Sequence, residues 1–363
     1  MFENSQLRDI VARVEAGQRL SFEDGLRLFE SDELYTIGYM ADLVRRRKNG
    51  RLAYFVVNRH LNPTNVCYAR CTLCAYGVTK KDPTAYTYSI EEAVQRARET
   101  TSREAITELH IVGGMNPALP WTYYTDLLRA LKRELPELHL KAYTAVEIAW
   151  LARLTGKGIE GTLELLKEAG LDSLPGGGAE IFDDEIREQI CDHKIGSSDW
   201  LDVHRAAHKM GLFSNATMLY GHVEQPRHRV DHLIRLRELQ DETGGFQAFI
   251  PLAFHPEHTQ LSRLPGPTGF DDLRTLAISR LLLDNFPHVK AYWIQIGIKL
   301  AQVALHFGAD DLDGTIVEEK ITHAAGATSA VGVPRDDLVG LIRQAGFIPV
   351  QRDTVYREIR RWD

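Results

Sequence analysis

The sequence predicts an α/β protein, a (βα)8 TIM-type barrel with an N-terminal helical extension. Three observations lead there: a helical reading of residues 1–50, strand-like apolar segments alternating with amphipathic helices from residue 51 onward, and glycine- or polar-rich turns directly after several of the strands. Alternating β and α units imply a parallel sheet, because each crossover helix returns the chain to the same edge. Eight such strands over roughly 260 residues favour closure over an open doubly wound sheet.

The elements follow in order. Ser21 and Asp24 are placed to cap a helix running to about Ser31. The basic run Arg45-Arg46-Arg47-Lys48 is expected to end a surface helix, where cations meet the negative end of the helix dipole. Strands are expected at Ala53–Asn58, Thr107–Val112, Leu138–Thr144, Ser173–Gly176, Phe213–Met218, Gln247–Leu252, Lys290–Ile296 and Asp311–Ile316. Ser89 and Glu92 make a capping box, after which Ile90, Ala93, Val94 and Ala97 share one helical face. Tyr124, Leu127, Leu128, Leu131 and Leu135 repeat that spacing, as do Leu338, Leu341, Ile342 and Ala345. The expected units are therefore an extension over 1–50, a barrel over 51–350 and a tail over 351–363. The tail, with Tyr356 and several arginines, is expected at either the base or the mouth of the barrel.

Hydrophobic content of 44% and charged content of 26% are those of a soluble globular chain, and a net charge of −7 with no basic domain argues against nucleic acid as a partner. No apolar run approaches the roughly 20 residues that span a bilayer, and the N-terminus lacks a signal-peptide pattern. A cytoplasmic location is expected, where clustered thiols hold metal more often than they form disulfides.

The chemistry concentrates at Cys67, Cys71 and Cys74, three of the four cysteines, on the loop after the first expected strand. Thiolates at this spacing suit an iron–sulfur centre or zinc. A structural zinc normally takes four ligands, and neither His110 nor Cys191 has paired-knuckle spacing to supply the fourth. A redox pair would use Cys71 and Cys74 and leave Cys67 idle. Cys191, on an expected helix over Glu185–Asp192, reads as a small buried apolar residue.

The Cys-x3-Cys-x2-Cys loop resembles that of the radical S-adenosylmethionine (SAM) superfamily. The resemblance implies that the three cysteines hold a [4Fe–4S] cluster whose remaining iron chelates SAM, and that Gly113 and Gly114, in Ile111-Val112-Gly113-Gly114, and Glu180, in the segment from Pro175 to Glu180, contact SAM. Leu73 departs from the superfamily, which usually has an aromatic residue there. Within the superfamily the chain resembles the aminofutalosine synthases of menaquinone biosynthesis, through the segments His60–Cys67, His110–Pro117, Ser173–Ile181, Ala216–His222 and Pro251–Thr259. Dehypoxanthine futalosine cyclases and the radical enzymes of deazaflavin synthesis share the Gly-Gly-Gly-Ala-Glu segment and are the competing readings.

The resemblance implies a transferase that adds the 5′-deoxyadenosyl radical to the vinyl carbon of 3-[(1-carboxyvinyl)oxy]benzoate. Aryl migration and loss of the carboxylate follow. The substrate is a dianion, so cations or N–H donors are expected at the mouth. Arg59, His60, His222, His255, His258 and Arg263 lie at expected strand ends or the loops after them; His60, His255 and Arg263 are the expected catalytic and substrate-contacting residues. A low-potential electron donor, a flavodoxin or ferredoxin, is also implied, since such clusters sit near roughly −400 mV.

Overall fold

The computed structural model describes residues 5–101 and 105–363. Three helices, Arg8–Glu15, Phe22–Glu30 and Leu34–Asn49, precede the sheet, and Ser21 and Asp24 form the expected reciprocal cap of the second. The basic run does end the third helix, but Arg45 is fully buried rather than on the surface. Its guanidinium donates to the carbonyls of Ala309, Gly50 and Leu52, so it ties the extension to the barrel. This burial was hidden in the sequence because one of its acceptors, the Ala309 carbonyl, lies 264 residues further along the chain.

Seven strands pair in parallel and in chain order: β2 (Asn58–Leu61), β3 (Glu108–Ile111), β4 (His139–Ala142), β5 (Ser173–Leu174), β6 (Phe213–Tyr220), β7 (Phe246–Ala253) and β8 (His288–Val289). β1 (Leu52–Val56) runs directly into β2 and pairs with β9 (Asp311–Gly314). Single bridges, Lys290↔Asp311 to β9 and Arg59↔Val317 to the segment just after it, reach both ends of the arc and close the ring. At the seam the Thr315 hydroxyl accepts from the Asn58 N–H and donates to the Asn58 carbonyl, replacing ladder bonds where β1 gives way to β2.

Outward-facing Leu109, Ile111, Leu140, Ala216 and Phe249 pack against helical Leu127, Leu131, Leu163, Trp200 and Leu233, all fully buried. Each buried side chain of this size contributes about 1.5–3 kcal/mol. This apolar shell between strands and helices holds the fold together, and it leaves the lumen free for polar groups.

The expected strand over Lys290–Ile296 is corrected. Only the bridge at Lys290 continues β8, and Trp293–Ile296 forms a short helix. A brief apolar run does not distinguish the two by periodicity. Here the Trp293 indole donates to the Gly314 carbonyl and turns the chain across the barrel end. A strand not anticipated, β10 (Ile348–Arg352), pairs in parallel with β1, and β11 (Glu358–Arg361) returns antiparallel to it. Pro349, which lacks a ladder donor, disguised β10. The expected boundary at 350/351 thus falls inside a strand. The C-terminal hairpin covers the barrel base, where Arg352 and the Tyr356 hydroxyl both bond Asp311, and the Tyr356 ring stacks on His288 at 3.6 Å.

Candidate active site

The loop after β2 crosses the C-terminal mouth of the barrel. It is pinned to its surroundings on several sides. The Asn62 amide donates to the Val112 carbonyl, and the Cys67 N–H to Val78. The Thr72 N–H donates to the Ile190 carbonyl at 3.1 Å, and the Thr72 carbonyl accepts from the Gln260 N–H. Cys67, Cys71 and Cys74 line one cavity of about 320 Å³ that runs from this mouth into the lumen.

Among the described residues no three or more His, Cys, Asp or Glu side chains, the three thiols included, already stand close enough together to hold a metal ion. The three thiols do all line one open cavity, and a centre that must admit a second ligand needs such an opening. Two further features fit a cluster. The Gly77 N–H donates to the Cys74 sulfur at 3.3 Å, and a Cβ on Gly77 would stand 3.2 Å from the Cys67 Cβ and 3.7 Å from the Cys74 sulfur. A bare backbone with its N–H toward sulfur suits a bound thiolate. Burial pushes the Cys71 thiol up to about 12, with Lys194 opposing only in part. That is the reverse of a reactive redox cysteine, while a bound cation would deprotonate the thiol outright. Cys191 is buried in the core, ends the helix Asp184–Cys191 and does not line the cavity.

The Gly-Gly turn after β3 lines the cavity too, but its glycines answer first to the cysteine loop. A Cβ on Gly114 would lie 2.2 Å from the Val66 carbonyl oxygen, and the Gly114 N–H already donates to Thr64. The Gly113 N–H donates to Glu147 at 3.2 Å. Glu147 also accepts from the Thr144 N–H and hydroxyl as the capping box of the helix Ala145–Thr155. Burial raises its carboxyl to about 7, against those three hydrogen bonds.

After β5, Glu180 is held in a left-handed conformation at φ 48° and is ion-paired to Lys194, both lining the cavity. Strain of this kind costs on the order of 1–3 kcal/mol and concentrates at ligand sites. Burial works against the Glu180 carboxylate, but Lys194 outweighs it and holds the pKa below the usual range.

The expected basic residues separate. His60 is buried in the lumen, and burial lowers its pKa, so the ring is neutral at neutral pH. His255 lines the mouth, with Nε2 on the Gln295 carbonyl. Arg263 is exposed and is not among the cavity-lining residues, so the carboxylate clamp expected of it has no support from its position. Its loop follows the mouth in sequence but turns the side chain to solvent. His222, His258 and Arg59 also lie outside the cavity: His222 bonds Leu219, His258 bonds Ala324, and Arg59 pairs with Glu318. Leu73 does line the cavity, with an aliphatic side chain where the superfamily usually has a ring.

Several lining residues were not anticipated: Glu108, His110, Lys141, Lys290, Asp313, Glu147 and Lys194. A signal for the first five was present. Parallel strands buried on both faces read as continuous apolar runs, so a charged or polar residue inside one marks an occupied lumen.

The comparisons with known proteins agree with this geometry. Residues 61–236 match the Radical SAM superfamily, and residues 243–362 match the CofH/MqnC C-terminal region. The chain is 50% identical to aminodeoxyfutalosine synthase of Streptomyces coelicolor, covering 98% of this chain and 95% of that one. It is 47% identical to the enzyme of the same name from Thermus thermophilus, over 99% and 97%. It is 40% identical to a 5-amino-6-(D-ribitylamino)uracil–L-tyrosine 4-hydroxyphenyl transferase of Methanopyrus kandleri, over 90% and 89%. Among solved structures, methylornithine synthase superposes with a TM-score of 0.71 at 17% identity, covering 94% of this chain and 97% of that one. The FeFe-hydrogenase maturase of Carboxydothermus hydrogenoformans gives 0.75 at 15%, over 98% and 81%; both likenesses concern the fold. By its cysteine loop, its barrel and its near-full-length identity, the chain belongs to the aminodeoxyfutalosine synthase family of radical SAM enzymes.

Proposed function

We propose that the chain joins the 5′-deoxyadenosyl group of SAM to 3-[(1-carboxyvinyl)oxy]benzoate. The products would be 6-amino-6-deoxyfutalosine, methionine and bicarbonate, in menaquinone biosynthesis. The near-full-length identity to aminodeoxyfutalosine synthases carries this reading. When bound, a [4Fe–4S] cluster with SAM chelated to it supplies the electron that splits the sulfonium into methionine and a 5′-deoxyadenosyl radical.

In this reading Cys67, Cys71 and Cys74 hold the cluster at the mouth. The backbone of Gly113 and Gly114 and the Glu180 carboxylate position SAM beside it. Leu219, Ile250, Leu252 and Phe254, which line the cavity, keep water and hydrogen donors from the reacting carbon. His60 and His255 face the substrate, and a neutral His60 can accept or deliver a proton without first being discharged. The physiological reductant would be a flavodoxin or ferredoxin. Among the described residues no helix is long and apolar enough to cross a membrane.

A second reading, a cyclase or a deazaflavin-pathway enzyme acting by hydrogen abstraction, draws on the likeness to the 4-hydroxyphenyl transferases. Mass spectrometry of the product from SAM and the enolpyruvyl benzoate decides between them. Incorporation of the adenosyl carbon supports the synthase. Release of free 5′-deoxyadenosine without an adenosylated product would sink it.

A further inference from the structure

The lumen presents an organised set of polar groups, of which only His60 has so far been given a part in the reaction. His60, His110 and Lys141 stand at one level on three adjacent strands, paired in register His60↔His110 and His110↔Lys141. Lys290 enters from the end of β8. Glu108 holds the Lys141 ammonium at 2.7 Å, and Asp313 holds Lys290 at 2.7 Å. All six of these side chains line the cavity. Asp313 sits at φ 64°, a conformation held where it carries its carboxylate onto Lys290.

Each ammonium has three donors, and among the described residues only one on each is used by protein. The two imidazoles stack at 4.5 Å and 16°, and among the described residues no protein group hydrogen-bonds to any of their ring nitrogens. Buried donors are normally satisfied, so the occupant of the cavity must bring acceptors.

We propose that Lys141, Lys290, His60 and His110 form the subsite for the aromatic carboxylate of the substrate, at the floor of the lumen. The inference rests on the proposed synthase reading. Its logic is positional. The vinyl carbon must meet the adenosyl carbon beside the cysteine loop, so the ring and its meta carboxylate point the other way, down the barrel. That carboxylate survives the reaction unchanged, and binding a non-reacting group in this way orients the reacting one. Glu108 and Asp313 already balance the lysine charges. Recognition is therefore by spare N–H donors converging on a pure acceptor, which a carboxylate is and a carboxamide is not.

The test uses the reconstituted enzyme with SAM and two substrates, the benzoate and its analogue with the ring carboxylate replaced by a carboxamide. The wild type is expected to prefer the acid in kcat/KM by at least about tenfold, because the amide brings no negative charge to the two ammoniums and its NH2 opposes their spare donors. The paired variants Glu108→Gln with Lys141→Met, and Asp313→Asn with Lys290→Met, leave no lone buried charge. In each, the preference is expected to fall severalfold through a higher KM for the acid, while the EPR change on adding SAM is retained. If the paired variants fail to fold, His110→Leu, whose ring hydrogen-bonds to neither ion pair, carries the test, and a lower acid-to-amide ratio is again expected.

A wild type that turns over acid and amide equally overturns the subsite and leaves the synthase reading standing. So do folded variants that keep the full preference. A wild type that forms no adenosylated product from the acid overturns both.

Discussion

Gly114→Ala tests whether the glycine turn after β3 acts through the cysteine loop. The added Cβ would stand 2.2 Å from the Val66 carbonyl oxygen and 2.7 Å from its carbon. Both obstacles are backbone, so no side chain can swing away, and residues 64–66 must retreat. The retreat breaks the 2.8 Å bond from the Gly114 N–H to Thr64 and shifts Cys67, the next residue. Overpacking of this kind costs about 1–3 kcal/mol, and the lost hydrogen bond about 0.5–1.5 kcal/mol. A total of about 1.5–4.5 kcal/mol is therefore expected in urea unfolding, with iron per chain after anaerobic reconstitution falling well below wild type. Gly340→Ala is the control. Its Cβ would meet nothing within 4 Å on the helix Arg335–Gln344, and alanine there should stabilise by up to about 1 kcal/mol with iron unchanged. A Gly114→Ala protein that loads iron normally and unfolds with wild-type stability would refute the argument.

Three further outcomes follow from the same geometry. Cys71→Ala should abolish cluster absorbance while Cys191→Ala leaves it intact, since Cys191 lies outside the cavity; equal iron loss in both would place Cys191 among the ligands. Glu147, raised from 4.5 to about 7, binds its proton more tightly folded than unfolded, so in the absence of SAM its contribution to stability is full below pH 4.5 and is lost as pH rises to 7. The loss is up to about 3 kcal/mol, and Glu147→Gln should flatten that part of the stability profile; an unchanged slope counts against the assignment. Tyr356→Phe removes the hydroxyl that bonds Asp311 at 2.7 Å and should cost about 1.5–3 kcal/mol in unfolding without changing kcat, because the base lies far from the mouth. A lower kcat at unchanged stability would contradict the placement of the C-terminal hairpin.

Local patterns in the chain were enough for the barrel, the helical extension and the cysteine loop. Amphipathic spacing, capping residues such as Ser21 and Asp24, and glycines after strands are all short-range signals, and three cysteines within eight residues announce their own chemistry. The resemblance carried by those segments reached the family. What local pattern missed were contacts between residues far apart in the chain. Arg45 is buried with the help of the distant Ala309 carbonyl, and β10 exists because β1 offers it an edge. Arg263 follows the right strand, yet its loop turns it to solvent.

The lumen shows the division most clearly. Glu108, Lys141, Lys290 and Asp313 are spread over about 200 residues, and each alone reads as an odd charge in a strand. Barrel closure sets them in two ion pairs beneath the cysteine loop, because inward direction depends on strand register and only the closed ring decides which residues face one another.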